Sequence, residues 1–286
     1  MKPADVARLT GRAVVAELGG RPPRFALDGG ATVVVKDGAA DPGSVRAEAA
    51  GLRWLAVPGG PPVPAVYGHD DAVLVTGAVP AGRPTAAAAR EFGRRLAVLH
   101  AAGADAFGAP PPDGPERAWI GRTGMRNRPH GGPWGDWFAA DRVLPYLRTA
   151  RDRGTLTRDD AAVIEQVCDR IGDLAGPEEP PARLHGDLWS GNVLWSTEGP
   201  TGGSAWLIDP AAHGGHRESD LAMLELFGLP HLDTVLAAYD EAAPLADGWP
   251  GRVPLHQLFP LLVHTVLFGG GYAGRAVAAA RAALAQ

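Results

Sequence analysis

Along the first third of the chain, apolar and polar positions alternate in short runs, and the runs are punctuated by glycine. Ala13–Ala16, Arg24–Leu27 and Thr32–Lys36 read as strands separated by Gly19-Gly20 and by Asp28-Gly29-Gly30, the second a good hairpin signal. Asp41-Pro42 predicts a helix start. The helix carries Glu48, Leu52 and Leu55 and ends at Pro58-Gly59-Gly60. Ala65–Tyr67 and Ala72–Thr76 predict two further strands around His69-Asp70-Asp71, and Val79–Pro84 reads as a linker. Beyond it the period changes from two to between three and four: Thr85 caps a helix with Phe92, Leu96 and Leu99 on one face. Residues 103–135 are rich in Gly and Pro and read as surface loop, with helices resuming over Trp137–Arg148 and Arg158–Leu174. Two short strands, Val193–Trp195 and Ala205–Ile208, then precede a mostly helical remainder from Glu218. The pattern predicts an α+β protein in which a small antiparallel β lobe, residues 1–79, meets a larger helical lobe, residues 80–286, across a cleft.

Composition narrows the function classes. The formal charge is −5 and the arginines are scattered, so no basic tract suits a nucleic-acid backbone. Leu261–Tyr272 is the most apolar stretch, but His264 and three glycines interrupt it, and no membrane span is expected. Met1–Gly11 lacks the apolar centre of a secretory signal, so a cytoplasmic protein is expected. The single Cys168 excludes an internal disulfide and any Cys-rich metal site, and beside Val163, Ile164 and Val167 it is expected in the core. Of 27 basic residues only Lys2 and Lys36 are lysines, and the only asparagines are Asn127 and Asn192. In a chain so biased toward Ala, Gly, Pro and Arg, a retained Lys or Asn points to needed chemistry.

The strongest chemical signal is His185-Gly186-Asp187-Leu188-Trp189-Ser190-Gly191-Asn192. An Asp and an Asn five positions apart, with His two before the Asp, have the spacing of a kinase catalytic loop. Asp187 would accept the proton of an attacking hydroxyl, and Asn192 would reach back to a metal ion. Asp209, after the strand Ala205–Ile208, would hold the Mg²⁺ that bridges nucleotide phosphates. Lys36 ends the third strand and Glu48 lies in the next helix, the layout of a phosphate-binding ammonium held by a carboxylate. Gly19-Gly20 occupies the place of a turn over the phosphates. Asp220, with His185, is expected to brace the catalytic loop, and His216, Arg217 and Glu218 to face the acceptor. A zinc role for His213 and His216 is disfavoured, because no further ligand follows at suitable spacing.

These blocks resemble the fructosamine kinases, or ketosamine 3-kinases. The resemblance is carried by Asp187-Leu188-Trp189-Ser190-Gly191-Asn192, Ile208-Asp209-Pro210-Ala211, Gly215-His216-Arg217-Glu218-Ser219-Asp220 and Leu267-Phe268-Gly269-Gly270-Gly271-Tyr272. Ala47–Leu52, Leu96–His100 and Ile120–Asn127 with Asp136-Trp137 add to it, so that it runs from about Gly19 to Tyr272. It implies a two-lobed protein-kinase-like fold, with ATP and Mg²⁺ as cofactors. The activity implied is phosphorylation of the sugar 3-hydroxyl of a ketosamine, free or on a glycated protein, which leads to deglycation. It also implies that Trp189 lines the sugar site and that adenine meets the interlobe backbone at Gly77 and Ala78. Three departures stand out: Leu18 precedes the glycine turn, Thr76-Gly77 replaces an acidic hinge residue, and Ala212-His213-Gly214 lies where aromatic residues are usual. The competing readings are a phosphotransferase for aminoglycosides or choline-like alcohols, and a nucleotide-binding scaffold without catalysis.

Overall fold

The structure, a computed structural model, describes residues 2–38, 43–199 and 203–286. A short helix, α1 (Pro3–Thr10), opens the chain, followed by strands β1 (Val14–Gly19), β2 (Arg24–Leu27) and β3 (Thr32–Asp37). Helix α2 (Ser44–Leu55) and strands β4 (Val66–His69) and β5 (Val73–Gly77) complete the small lobe. All neighbouring strands in this sheet are antiparallel, in the order β1-β2-β3-β5-β4. The pleat of β3 buries Val33 and Val35 beneath α1, with Phe25, Leu27 and Val75, and turns Lys36 the other way. The capping role expected of Asp41-Pro42 falls outside the described residues, but the helix it announces is present from Ser44.

Helix α3 (Ala86–Ala101) begins the large lobe, and the Thr85 hydroxyl caps it by accepting from the Ala88 N–H at 3.2 Å. Phe92, Leu96 and Leu99 are buried as their spacing predicts. Gly93 is required here, since a Cβ would stand 2.2 Å from the Val235 carbonyl of the helix packed against it. The stretch 103–135 is not all loop. Strands β6 (Arg117–Ile120) and β7 (Thr123–Arg126) form a hairpin whose two-residue turn is Gly121-Arg122. Helix α4 (Trp134–Trp137) then runs through a π-helical stretch, Phe138–Val143, into α5 (Leu144–Asp152). Helices α6 (Arg158–Asp169) and α7 (Ile171–Leu174) lead to β8 (Ala182–Leu184), the catalytic-loop segment, β9 (Val193–Ser196), β10 (Ser204–Leu207) and β11 (His213–Gly215). Strand β8 pairs with β11, and β9 with β10. Four helices close the fold: α8 (Glu218–Phe227), α9 (Leu232–Ala242), α10 (Trp249–Phe268) and α11 (Gly271–Leu284). Among the described residues no helix is long and apolar enough to cross a membrane. Cys168 is only partly buried, at the margin of the large-lobe core, and burial pushes its thiol up to about 12.

Arg142 sits inside that core with its guanidinium over the faces of Trp137 and Phe259. It donates to the Arg126 carbonyl (2.6 Å) and to Asn127 Oδ1 (2.8 Å), and Asn127 Nδ2 in turn donates to the Ala212 carbonyl (3.1 Å). Burial brings the guanidinium down to about 10, so it remains charged at neutral pH. A buried cation spread over carbonyl oxygens and aromatic faces thus fastens the β6–β7 hairpin to the chain just beyond Asp209.

Candidate active site

Asp220, on α8, is the fixed point of the catalytic loop. Its carboxylate is fully enclosed and accepts the backbone N–H groups of His185 (2.7 Å) and Gly186 (2.9 Å), with His100 Nε2 at 3.3 Å. Burial opposes its ionisation, but the hydrogen bonds from His100 and the loop hold its pKa below the ordinary carboxylate value. His185 accepts from the Asp187 N–H at Nδ1 (3.3 Å) and places Nε2 2.9 Å from the Ile208 carbonyl, which fixes one neutral tautomer. Burial lowers its pKa accordingly. Gly186 has φ +80°, and a Cβ there would stand 2.2 Å from the Ala211 carbonyl. Only glycine lets the loop pass so close to the segment that follows Asp209.

From this anchor the loop turns tightly. Trp189 N–H donates to the Asp187 carbonyl (3.1 Å) and Asn192 N–H to the Trp189 carbonyl (2.9 Å). The Trp189 indole folds over Gly191, where a Cβ would stand 2.3 Å from the ring. Asn192 Nδ2 donates to the Asp187 carbonyl (2.8 Å) and to Asp187 Oδ2 (3.1 Å). Its side-chain oxygen is left as the atom able to meet a cation. Asp209 has φ +53°, in the left-handed region, and its Oδ1 lies 3.2 Å from Lys36 Nζ. Lys36 also bonds Glu48 Oε2 at 2.6 Å. Burial works against the Lys36 ammonium, but Glu48 and Asp209 outweigh it and raise its pKa, so Lys36 is held charged.

The structure therefore gathers Lys36, Glu48, Asp187, Trp189, Asn192 and Asp209 around one cavity of about 500 Å³. The β6–β7 hairpin adds Trp119, Gly121 and Arg122 to the same wall. Carboxylate and amide oxygens from Asp209 and Asn192, facing a lysine that can hold phosphate, suit a hard divalent cation with a nucleotide. Asp187 is pushed up to about 6, chiefly by burial and further by Asp209, against the lowering hydrogen bond from Asn192. A base with that pKa must lose its proton before it can accept one. With Asp187 as the proton acceptor the sequence suggests, kcat/KM is therefore expected to rise about tenfold per pH unit below about pH 6 and to level off above it. Initial rates between pH 5 and 8 check this, and a profile flat to pH 5 contradicts it.

Other expected residues lie elsewhere. His216, Arg217 and Glu218, anticipated at the acceptor, do not line this cavity. Arg217 grips Glu179 (2.6 and 2.8 Å) and the carbonyls of Ala243 and Pro244. Glu218 is buried under a bidentate pair with Arg252 (2.5 and 3.0 Å), and His216 is enclosed beside Trp134 and His256. These are long-range structural pairs, whose partners stand 34 and 38 residues away along the chain. Donor atoms of His216, Glu218 and His256 do converge, which spacing alone does not reveal. The Arg252 guanidinium already occupies that carboxylate. Gly19 and Gly20 shape the β1–β2 turn, with φ +68° and +97°, and do not line the cavity. The N–H groups of Gly77 and Ala78, expected near adenine, are taken by the Ala65 and Thr32 carbonyls, both at 2.9 Å.

Comparison with known proteins adds a second line of support. The family model described as fructosamine kinase matches residues 29–286. A protein of Synechocystis described as a probable ketoamine kinase is 35% identical over 238 residues, covering 79% of this chain and 74% of that one. Another so described, from Thermus thermophilus, is 34% identical over 234 residues, covering 82% and 80%. The crystal structure of a candidate fructosamine-3-kinase from Thermobifida fusca superposes with a TM-score of 0.90 at 49% identity, covering 99% and 98%. An aminoglycoside phosphotransferase bound to gentamicin gives a TM-score of 0.60 at 17% identity over 99% and 95%, a likeness of fold alone.

Proposed function

The chain belongs to the fructosamine kinase family and is an ATP-dependent phosphotransferase of two-lobed, protein-kinase-like fold, and on that premise we propose that it phosphorylates the sugar 3-hydroxyl of ketosamines. The observation that carries the reading is the one cavity that Asp187, a half-buried carboxylate positioned by Asn192, shares with the Lys36–Asp209 pair. Asp187 orients the acceptor hydroxyl and takes its proton as the new O–P bond forms and the bond between the γ-phosphorus and the ADP oxygen breaks. Lys36, held by Glu48, neutralises the phosphates. Asn192 and Asp209 would hold Mg²⁺, which supplies charge neutralisation on the transferring phosphoryl group. Trp189, 39% exposed and edge-on to Phe227, offers its face to the sugar. On this reading residues 1–79 form the nucleotide lobe and 80–286 the catalytic lobe. The phosphorylated adduct then breaks down and releases the amine, so the reaction is the first step of a deglycation, and its use of ATP fits a cytoplasmic setting.

The test is ATP consumption with Mg²⁺ on fructosyl- and ribulosyl-lysine beside unglycated lysine, aminoglycosides and choline. Turnover confined to the glycated compounds, with the phosphate on the 3-oxygen by NMR, is the expected result. Turnover on an aminoglycoside or choline alone would replace the substrate class. Nucleotide binding with no phosphorylated product on any acceptor would turn the chain into a scaffold.

A further inference from the structure

The cavity is lined by two cations, Lys36 and Arg122. Lys36 is paired twice, but Arg122 has no carboxylate within ion-pair distance among the described residues. Its position is fixed from below. The hairpin that carries it buries Ala118, Ile120 and Met125, and Tyr146 and Arg142 hold the carbonyls of Gly124 and Arg126 at 2.8 and 2.6 Å. At the tip, a Cβ on Gly121 would touch the Leu267 side chain at 3.5 Å. The turn therefore leans on the C-terminal end of α10.

That corner is aromatic. Trp189 meets Phe227 edge-on at 6.0 Å, Phe227 meets His264 at 4.9 Å, and His264 meets Phe268 and Tyr272 at 5.5 and 4.9 Å. The chain of rings leads away from Asp187 toward Phe268, which is 68% exposed. On the same hairpin, Trp119 carries Arg117 over its ring at 5.5 Å. Arg122 thus stands on the hairpin wall of the cavity, in the turn that reaches the C-terminal end of α10 and its rings.

We propose that Arg122 binds the carboxylate of the amine portion of the acceptor, so that the preferred substrates are Amadori compounds of free amino acids. The proposal rests on the ketosamine reading above. A guanidinium matches a carboxylate in geometry and charge, and a rigid two-residue turn spends little entropy in presenting it. The surrounding charges sharpen the choice. Asp37, Glu48, Asp187 and Asp209 line the same cavity, and Lys36 among them is given to the phosphates, which leaves Arg122 as the cation able to receive an anionic substituent of the acceptor.

The experiment compares fructosyl-glycine with fructosyl-glycinamide, in the wild type and in Arg122→Gln and Arg122→Lys. In the wild type kcat/KM for the acid should exceed that for the amide by about tenfold. Arg122→Gln should bring the ratio near one through KM, and Arg122→Lys should restore part of it. Reading the change in the ratio cancels the difference in amine acidity between the two compounds. Equal values in the wild type overturn the proposal while turnover of both leaves the ketosamine reading standing. A ratio unchanged by Arg122→Gln, with KM for ATP raised instead, assigns the residue to the nucleotide and also overturns it. Turnover of neither compound, nor of any other ketosamine, removes both readings together.

Discussion

Asp187→Asn is expected to lower kcat by about 10²- to 10⁴-fold while leaving KM for ATP within a few fold. The substitution keeps the shape and the backbone contact from Asn192 to the residue 187 carbonyl, and Lys36, Glu48 and Asp209 are untouched. What disappears is the group that accepts the hydroxyl proton. The same variant should be at least as stable as the wild type at pH 8. Burial raises the Asp187 pKa to about 6, above its unfolded value, so the ionised carboxylate costs folding free energy at any pH above that, and the neutral amide does not carry the cost. Lowering the pH toward 4 protonates Asp187 and should narrow the difference. Steady-state kinetics and urea unfolding at two pH values test both halves, and an Asn variant with near-full turnover would remove Asp187 from its assigned role.

Asp220→Ala should have the larger effect on the fold. It strips the acceptor from two buried N–H groups, those of His185 and Gly186, and leaves His100 facing an empty space beside Tyr239. Removing one member of a buried, charge-assisted network costs about 3–5 kcal/mol. Turnover should fall with it, because the two released N–H groups are the ones that fix the direction of Asp187. Asp220→Asn separates the two effects. Its side chain has the right size, but only one of its two ends can accept, so one loop N–H meets another donor. Stability should recover in part while kcat stays low. If both variants unfold with the wild-type urea midpoint, the loop is held by something other than Asp220.

The oxygen-bearing residues of the site are legible because their chemistry demands fixed local spacing: Asp187 to Asn192 within one turn, and Asp209 at a strand end. Lys36 and Glu48 were readable for a related reason, since a strand and the following helix bring them together whatever the rest of the chain does. Helix α3 was equally plain, because its apolar period and Thr85 cap are local. The three-residue strands β8 and β11 were not, as so short a segment shows no period and its partner lies some thirty residues away. The β6–β7 hairpin is masked in the sequence because glycine and proline dominate the stretch around it. Its alternation, Ala118 and Ile120 inward with Gly121-Arg122 between the strands, was the available signal. His216, Arg217 and Glu218 lie outside this cavity for the opposite reason. Polar residues beside a motif look functional until distant partners, Glu179 and Arg252, are seen to absorb them.

The backbone of Asp209 carries a consequence for anyone who evolves this protein. A residue with a side chain held at φ +53° costs about 1–3 kcal/mol, a cost that glycine escapes and asparagine reduces. Position 209 is therefore one where a library selected for heat resistance alone would enrich clones that have discarded the carboxylate. Survivors of such a selection would be sturdier and inert, and a screen that reads survival without turnover would rank them first.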